Sequence, residues 1–577
     1  MRRAFSGIGA TRGLALGRAC IVQPQALDIA EERIEPGRVE AELERLHEAL
    51  SEARRELIAV RERIRGAIAL ELGEFLDLHA LLLEDPELLS GLDQLIRTGH
   101  YSADYALKLQ RDRLAAVFDS IDDPYMRSRR EDLDHVVGRV HAALHRGGDC
   151  VDAPGGLAGE VLVTDTIAPS ELAQLTERGI VAIVTAQGSA LSHSAILARS
   201  LHLPLVVGAH EALSHVNDGD AIMVDAGSGQ VIVEPNAQDL RRFRQLQREN
   251  EREQRQLARL KRKATRTRDE VDIALYANAE SRQDVSQALE LGAAGIGLYR
   301  TEFLFLQRNE LPTEEEQFFA YRDVVLGMGG RPVTIRTLDL GADKADSCGL
   351  ALGAEPNPAL GVRGIRLSLR EHGLFRTQLR AILRASGYGP LRILLPMVSC
   401  REEVLAVREL LLECTRDLRD EGHEIAEQVE LGAMIEVPAA ALALAGMIRH
   451  VDFVSIGTND LVQYLLAADR NNDQLGSIYS PLHPAVLRLL HEIFALGRRT
   501  RTPVLVCGEV AGDERYTRLL LALGLTRFSL HPGSLLQVRR VVRDADLHAL
   551  RRQAPALLRA ADRAGIERAL QRLEAPE

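Results

Sequence analysis

A histidine at the start of a small-residue helix is the residue of this sequence best placed to do chemistry. His193 follows Ser192 in the run GSALSHSAILARSLHLPLVVG, which extends from Gly188 to Gly208. The apolar spacing after this histidine predicts a helix that ends before Pro204. A histidine at a helix N-terminus faces unpaired backbone N–H groups and the positive end of the dipole, where a phosphate is held. The run therefore indicates a histidine that accepts a phosphoryl group; an ordinary capping or core histidine is the alternative.

Arginines in the second half of the sequence would supply a pocket of positive charge. A guanidinium group binds phosphate or carboxylate through two parallel hydrogen bonds. A cluster of such groups fits a small ligand that carries two or three negative charges. The arginines that we expect to converge are Arg300, Arg336, Arg363 and Arg470.

Two carboxylates in the same half would provide ligands for a metal ion. Glu436 and Asp460 each follow a strand-like run, and we expect them at neighbouring strand ends. Magnesium is typically held by one or two carboxylates, with substrate oxygens and waters completing its octahedron. Together with the arginines, the pair indicates a magnesium-bound phosphorylated acid. Structural ion pairs at the strand ends are the alternative.

A cysteine after another strand-like run is a candidate proton donor. Cys507 lies in VLVCGEV, beside Gly508 and Glu509. A thiol with an ordinary pKa of about 8.5 is mostly protonated at neutral pH and can act as a general acid. A buried apolar cysteine with no chemical role is the alternative.

The elements that must position these groups follow a repeated order of strand and helix after Arg268. Eight apolar runs alternate with helical segments, which predicts a (β/α)8 barrel of the TIM type. Enzymes with this fold carry their chemistry at the C-terminal ends of the barrel strands. The runs are VDIALYAN, GIGLYRTEF, VTIRTLDL, LRILLPMV, LGAMIEVP, FVSIGTNDL, PVLVCGE and RFSLHP. The polar residues that end them are Asn278, Arg300, Arg336, Glu436, Asn459, Asp460 and Cys507.

The first part of the sequence predicts an α/β domain interrupted by helices. Residues 1–22 are strand-like, and residues 147–235 alternate short apolar runs with small helices. Residues 23–146 have the heptad-like spacing of a bundle of helical hairpins, which we expect as an insertion after the first strand. Residues 236–268 are polar and arginine-rich. Interleaved glutamates and scarce aromatic residues favour a solvated linker helix there over a nucleic-acid patch.

Composition narrows the class of protein. A formal net charge of −12 over 577 residues argues against a dedicated nucleic-acid binder. No apolar run is long enough to cross a bilayer, and Arg12 and Arg18 interrupt any signal-peptide core. The cysteines are scattered, which is typical of reduced thiols. We therefore expect a cytoplasmic protein without membrane insertion. The cysteines are Cys20, Cys150, Cys348, Cys400, Cys414 and Cys507.

Motifs over essentially the whole chain resemble those of enzyme I of the bacterial phosphotransferase system, the phosphoenolpyruvate–protein phosphotransferase family. The barrel segments GIGLYRTEFLF, IRTLDLGADK, NPALGVRGIR, MIEVPAAAL, SIGTNDLVQYLLAADRNN and VCGEVAGD carry this resemblance, as do FLDLHALLLEDPEL and DDPYMRSRREDLDHVVGRV in the helical part. Residues that match the phosphohistidine motif of the phosphoenolpyruvate-utilising enzymes are Ser192, His193, Ile196, Ala198 and Arg199. Departures from the family pattern are Ser189, Leu191 and Ala342.

The resemblance implies a role for each candidate residue. His193 would receive the phosphoryl group and pass it to a histidine of the carrier protein HPr. Cys507 would protonate the enolate of pyruvate. Residues implied to bind phosphoenolpyruvate are Arg300, Arg336 and Arg470, with Lys344 and Asn459 assisting. Those implied to hold Mg²⁺ are Glu436 and Asp460.

The resemblance also implies a function for each domain. Residues 1–22 and 147–235 would form the phosphohistidine domain, and residues 23–146 the HPr-binding bundle. Residues 269–577 would bind phosphoenolpyruvate and form a homodimer. The expected function is the first step of the sugar phosphotransferase system, and a regulatory or nitrogen-related branch with another HPr-like carrier is the alternative.

Two further classes of protein share some of these features. Phosphoenolpyruvate synthase and pyruvate phosphate dikinase have the histidine motif and the barrel, but they also need a large nucleotide-binding domain. This sequence has no Gly-rich Walker A loop and only the helical block beyond the shared domains. An inactive regulatory protein that only docks a carrier would show damage at Arg300, Glu436, Asp460 or Cys507, and all are present.

Overall fold

The computed structural model describes most of the chain as two compact units, Met1–Glu251 and Arg252–Glu577. The described residues are 2–11, 13–22, 29, 31–63, 79–119, 124–145, 159–167, 171–172, 175–176, 178–188, 193–201, 203–261, 263–305, 310–341, 355–470, 475 and 478–574. Among these, the side chains of residues 60–63, 117–119, 124–132, 193, 196 and 200 lie outside the description.

The first unit contains an eight-stranded mixed sheet. Its strand order is β1-β8-β7-β3-β4-β5-β6-β2. Neighbours from β3 to β6 are parallel, and the remaining pairs are antiparallel. The strands are β1 (Arg3–Ser6), β2 (Ile8–Gly9), β3 (Leu14–Val22), β4 (Glu160–Thr164), β5 (Ala182–Thr185), β6 (Leu205–Val207), β7 (Ala221–Asp225) and β8 (Gln230–Val233).

Gly7 joins the two edges of this sheet. It is the single residue between β1 and β2, which lie at opposite ends of the strand order. Its N–H donates to the carbonyl of Gly229 at 2.8 Å, and a Cβ at this position would lie 2.6 Å from Cγ1 of Val206. The sheet is therefore rolled so that its edges meet, and only glycine fits at the meeting point.

A block of helices interrupts the sheet between β3 and β4. The block follows three strands rather than the single strand that we predicted, because the first residues form two short edge strands before β3. Asp85 caps α2 by accepting from the N–H groups of Glu87 and Leu88 at 2.7 and 3.2 Å, with Pro86 in the first turn. The helices of the block are α1 (Val39–Arg63), α2 (Pro86–Gly99), α3 (Ala103–Asp119) and α4 (Pro124–Leu144).

The helical block and one face of the sheet share a hydrophobic core. Leu46, Ile96 and Val136 of the helices belong to the same buried cluster as Ile183 and Leu205 of the sheet. The insertion is therefore packed onto the α/β part of the unit. The other helices before the barrel are α5 (His193–Ser200), α6 (Ala212–His215) and α7 (Ala237–Ala258), of which α7 runs across the boundary between the units.

The second unit is a closed barrel of eight parallel strands. The strand order is β9-β10-β11-β12-β13-β14-β15-β16, and β16 pairs with β9 to close the ring. Each predicted apolar run contains one strand, so the predicted (β/α)8 barrel is confirmed. The strands are β9 (Ala274–Ala279), β10 (Ile296–Tyr299), β11 (Val333–Arg336), β12 (Leu391–Leu395), β13 (Glu430–Ile435), β14 (Phe453–Ile456), β15 (Val504–Val506) and β16 (Arg527–Leu530).

Helices lie between the barrel strands and after the last of them. They are α8 (Arg282–Glu290), α9 (Glu314–Gly327), α10 (Ile365–Arg370), α11 (His372–Ala385), α12 (Arg401–Asp420), α13 (Pro438–Met447), α14 (Thr458–Leu466), α15 (Pro484–Thr500), α16 (Glu509–Gly512), α17 (Glu514–Leu523), α18 (Leu535–Asp544), α19 (Leu547–Arg559) and α20 (Arg563–Glu574). Helix and strand residues form one large buried cluster. No helix in the described residues is long and apolar enough to cross a membrane.

Candidate active site

The barrel brings most of the candidate residues to the C-terminal ends of its strands. Arg300 follows β10 directly, Arg336 ends β11, and Glu436 follows β13. Asp460 lies in the first turn of α14 after β14, and Cys507 follows β15. Because all these strands are parallel, their ends lie at one rim. This is the arrangement that the sequence predicted.

Asp339 fixes two of the arginines. Its carboxylate lies 3.1 Å from Nη1 of Arg336, and it accepts from Nε and Nη2 of Arg363 at 3.2 and 3.0 Å. The side chain of Asp339 is only 2% exposed. Burial alone would raise the pKa of Asp339, but the two guanidinium groups hold it below its ordinary value. The two cations are therefore locked in place by one buried anion.

Glu302 is a second carboxylate beside Arg336. Its Oε1 accepts from Nη2 of Arg336 at 3.0 Å and from the N–H of Asp339 at 2.9 Å. Burial would lower the pKa of Arg336, yet the nearby carboxylates keep it above its ordinary value. The sequence pattern did not single out Glu302 and Asp339, although they lie within the segments GIGLYRTEFLF and IRTLDLGADK.

Glu436 is a buried carboxyl group among other acids. Its side chain accepts from the N–H of Met397 at 2.6 Å, and the residue is 1% exposed. Burial, together with the charges of Asp339 and Asp460, raises its pKa to about 8. The anionic form of Glu436 therefore lacks a sufficient counter-charge from the protein alone.

Asp460 faces two arginines at longer range. Nη2 of Arg363 lies 3.6 Å from Oδ2 of Asp460, and Nη1 of Arg470 lies 3.7 Å from Oδ1. Arg363 also donates to the hydroxyl of Tyr464 at 3.4 Å. Tyr464 was not among the residues that the sequence pattern indicated. Asp460 and Asp339 thus link Arg336, Arg363 and Arg470 into one group of charges.

Arg300 is placed differently from the other arginines. Its guanidinium pairs with Glu280, and its side chain is 46% exposed. Its charge still reaches the buried part of the site, since it contributes to lowering the pKa of Asp339 after Arg336 and Arg363. Arg300 therefore lies at the outer edge of the cluster, engaged with a carboxylate of its own.

Cys507 lies inside the barrel mouth as a protonated thiol. The residue is 5% exposed, and its Sγ–H donates to the carbonyl of Ile456 at 3.4 Å. Burial raises the pKa of this thiol to about 11. The group therefore holds its proton at neutral pH, as a general acid must.

Two asparagines brace the loops around the thiol. Asn278 donates to the carbonyl of Cys507 at 3.0 Å and accepts from Oγ of Ser529 at 2.6 Å. Asn459 donates to Oε1 of Glu509 at 3.1 Å and accepts from the N–H of the same residue, also at 3.1 Å. Asn459 was expected to assist substrate binding, and its amide is here engaged with the loop after β15.

The predicted phosphorylation site lies in the first unit. His193 is the first residue of α5, and its side chain is outside the described part of the chain. The helix is anchored beside it, because Oγ of the buried Ser194 donates to the carbonyl of Ile167 at 2.6 Å. The turn residue Gly188 has a φ of +109°, which glycine adopts readily. Ser189, Leu191, Ser192, Ala342 and Lys344 lie outside the described residues.

The residues present fit a divalent cation at the barrel rim. Glu436 and Asp460 come from the ends of β13 and β14, which are adjacent and parallel. Carboxylate oxygens are the ligands that Mg²⁺ takes from proteins. Within the described residues, Nε of Arg336, Oε2 of Glu302 and Oγ1 of Thr458 are buried without a hydrogen-bond partner. A bound anion would accept a hydrogen bond from Nε of Arg336. A cation would offset the negative charge of the carboxylates around Glu436.

Comparisons with known proteins identify the family of this chain. Models of the phosphoenolpyruvate-utilising enzymes match residues 6–129 as the N-terminal domain, 156–229 as the mobile domain and 254–547 as the phosphoenolpyruvate-binding domain. A phosphoenolpyruvate-protein phosphotransferase of Cupriavidus necator is 42% identical over 99% of this chain and 100% of its own length.

This chain belongs to the phosphoenolpyruvate–protein phosphotransferase family. A second member, from Geobacillus stearothermophilus, is 40% identical over 93% of this chain and 92% of its own, and one from Listeria innocua is 38% identical over 95% of each. A solution structure of an Enzyme I protein covers 43% of this chain and 99% of its own at 29% identity, with a TM-score of only 0.36. The resemblance noted in the sequence is confirmed, and the barrel lies within the part of the chain that matches the phosphoenolpyruvate-binding domain of the family model.

Proposed function

We propose that this protein transfers the phosphoryl group of phosphoenolpyruvate to His193 and then to a histidine of a small HPr-like carrier, releasing pyruvate. The observation that carries the proposal is the buried group of Arg336, Asp339 and Arg363 beside Glu436 at the barrel rim. Such a group suits a small, strongly anionic ligand, and the same chain carries His193 at a helix start.

Substrate binding follows from how the arginines are held. Asp339 and Glu302 orient Arg336 and Arg363, so little side-chain entropy is lost when an anion binds. Arg470 would close on the phosphate or carboxylate from the exposed side. Arg300, Lys344 and Asn459 remain predicted contributors to the same pocket.

Glu436 and Asp460 would hold Mg²⁺, whose charge would offset that of the phosphoryl oxygens. Asp460 also faces Arg363 and Arg470 at 3.6 and 3.7 Å, so its carboxylate offsets part of their charge before the substrate binds. Burial and the neighbouring acids raise the pKa of Glu436 to about 8, so this group would lose a proton when the cation binds.

The first transfer breaks the phosphoenolpyruvate P–O bond and forms a P–N bond at His193. The leaving group is the enolate of pyruvate, whose C3 carbon must take a proton. Cys507 holds a proton at neutral pH because burial raises the pKa of its thiol to about 11. Donation from Sγ–H forms the C3–H bond and leaves a thiolate, which solvent reprotonates before the next turnover.

His193 must meet two partners in turn, the barrel pocket and the carrier. We infer that the phosphohistidine domain, residues 1–22 and 147–235, moves between them. The polar helix α7, within the predicted linker of residues 236–268, would serve as the arm. The helical block, residues 23–146, would bind the carrier, and the barrel, residues 269–577, would form the homodimer.

The test is labelling with ³²P-phosphoenolpyruvate and Mg²⁺, using the wild type, His193→Ala and the control His210→Ala. We expect an acid-labile, base-stable label on the wild type and the control and none on His193→Ala. The label should pass without nucleotide to an HPr-like carrier. Absence of label on the wild type, or equal label on His193→Ala, would contradict the proposal, and a requirement for nucleotide would favour the dikinase-like alternative.

The choice of carrier decides the biological role. We propose the first step of sugar uptake, and the alternative is a regulatory or nitrogen-related branch. The labelled protein is offered an HPr of the sugar branch and one of the nitrogen branch in separate reactions. Faster transfer to the sugar-branch HPr supports the first role, and faster transfer to the other supports the alternative.

A further inference from the structure

Three metal-ligating side chains meet in the helical block, far along the sequence from the barrel residues of the proposed reaction. Asp104 lies in α3, and His141 and His145 lie one turn apart on α4 or at its end. Nε2 of His145 is 2.9 Å from Oδ1 of Asp104, and Nε2 of His141 is 3.6 Å from the same oxygen. One ligand atom from each of the three residues lies within 4.8 Å of the others.

The spacing of these atoms suits one small cation. Zinc bonds to imidazole nitrogen and carboxylate oxygen at about 2.0–2.2 Å, which puts neighbouring tetrahedral ligands ~3.3 Å apart. The two observed nitrogen-to-oxygen distances lie on either side of that value. Histidines four residues apart share one face of a helix, so the pair is presented to α3 together.

Burial and charge around the cluster favour a bound cation. The side chains of His141 and Asp104 are only 11% and 12% exposed, whereas that of His145 is 53% exposed and opens the cluster to solvent. Arg45 donates to Oδ2 of Asp104 at 2.6 Å and is itself paired with Glu42 at 3.0 Å. The carboxylate is thus held by its outer oxygen, and Oδ1 is the oxygen that faces the histidines.

We propose that Asp104, His141 and His145 bind one divalent transition-metal ion of the Zn²⁺ class, which joins α3 to α4. Imidazole and carboxylate together suit Zn²⁺ better than Mg²⁺. Water would complete the coordination on the exposed side of His145. The ion would stabilise the helical block and would take no part in the chemistry at the barrel.

The experiment is calorimetric titration of the full-length, chelator-stripped protein with ZnCl₂ in buffer containing excess Mg²⁺, which is added to fill the proposed Mg²⁺ ligands of the barrel first. The variants are His145→Ala and the more conservative His145→Gln. The matched control is His47→Ala, because His47 also pairs with an aspartate on another helix, Asp93 at 3.0 Å, but within the described residues no second histidine joins this pair.

We expect one tight Zn²⁺ equivalent in the wild type and in His47→Ala, weakened more than about 100-fold in both His145 variants. Zn²⁺ should also raise the melting temperature of the wild type but not of the His145 variants. A substituting Co²⁺ ion should give the absorption of a four-coordinate site. Zinc binding that is unchanged in both His145 variants, or absent from the wild type, would overturn the proposal.

Discussion

At the scale of single residues, the candidate site depends on anions that hold its cations. Asp339 contacts both Arg336 and Arg363 while being almost fully buried. Removing one partner from a buried ion pair leaves an uncompensated charge, which is usually more costly than replacing the whole pair. The arginines would then lose both their position and their counter-charge.

Asp339→Asn should therefore reduce the free energy of unfolding by ~3–5 kcal/mol and raise the KM for phosphoenolpyruvate. Urea denaturation and steady-state kinetics measure the two effects. The control is Asp323→Asn, since Asp323 also pairs with two arginines, Arg282 and Arg322, but is a quarter exposed, and such partly exposed pairs contribute ~0–1 kcal/mol each. Equal losses in the two variants would show that Asp339 has no special role.

The buried thiol of Cys507 should make both the stability of the fold and the rate of its own alkylation depend on pH. Burial raises its pKa to about 11, so the thiol form stabilises the folded protein below the ordinary thiol pKa, and that contribution is lost as the pH rises toward 11. Alkylation by iodoacetamide, followed by peptide mass spectrometry, should be slow at pH 7.5 and accelerate about tenfold per pH unit up to pH 10. A rate that levels off near pH 8 would contradict this prediction, because it would mean that the thiol has already lost its proton near that pH.

At the scale of elements, glycines allow the turns after β14 and β15 to pack against each other. A Cβ at Gly508 would lie 1.8 Å from Oγ1 of Thr458, and one at Gly457 would lie 2.6 Å from Oε2 of Glu436. Neither glycine has a positive φ, with values of −79° and −83°. Space, not backbone conformation, therefore demands glycine at both turns.

Gly508→Ala should destabilise the barrel by ~1–3 kcal/mol because the added methyl group overlaps Thr458. It should also lower phosphorylation of His193, since Cys507 is the neighbouring residue. Gly446→Ala is the matched control: it lies inside α13 with nothing within 4 Å of the added Cβ, so a gain of ~0.5–1 kcal/mol is expected. Chemical denaturation and label incorporation are the measurements, and full activity in Gly508→Ala would refute the packing argument.

The sequence predicted the elements better than the contacts between them. Most barrel strands are short apolar runs with a polar residue at or just after their end, so the sequence showed both the strands and the rim residues Glu436 and Cys507. The roles of Glu302 and Asp339 were not, because an acid in a loop after a strand has no periodicity to reveal its partner. The exposed position of Arg300 was also hidden, since it depends on a carboxylate twenty residues earlier, Glu280.

At the scale of the whole molecule, a buried arginine that is not part of the candidate site connects three segments of the second unit through hydrogen bonds. Arg539 of α18 is 2% exposed, and burial, with Arg543 and Arg331, lowers its pKa to about 10. Its guanidinium donates to backbone carbonyls both in the segment after α7 and at the end of α8. These acceptors are Leu260, Lys261, Leu291 and Gly292, at 2.7–3.1 Å.

Arg539→Met should destabilise the second unit by at least ~3 kcal/mol, because each buried carbonyl left without a donor costs about 1–3 kcal/mol. Arg543→Met is the control, since Arg543 donates from the same helix to a single carbonyl, that of Ala264 at 2.6 Å. Scanning calorimetry should show a lower melting transition for Arg539→Met only. Similar transitions for both variants would argue that the four carbonyls find other donors.

In both units a strand from the start of the unit pairs with one from near its end, with Arg3 paired to Val233 and Ala274 paired to Arg527. A ribosome that adds ~5–20 residues per second delivers each first strand roughly 10–50 seconds before its partner. During that interval the nascent strand is an unpaired edge, the kind of surface that invites wrong pairing or a chaperone. β1 and β9 are therefore the first strands of their units to be synthesised, and the partners β8 and β16 are synthesised last. A transcript truncated before β16 would leave the barrel open between β15 and β9.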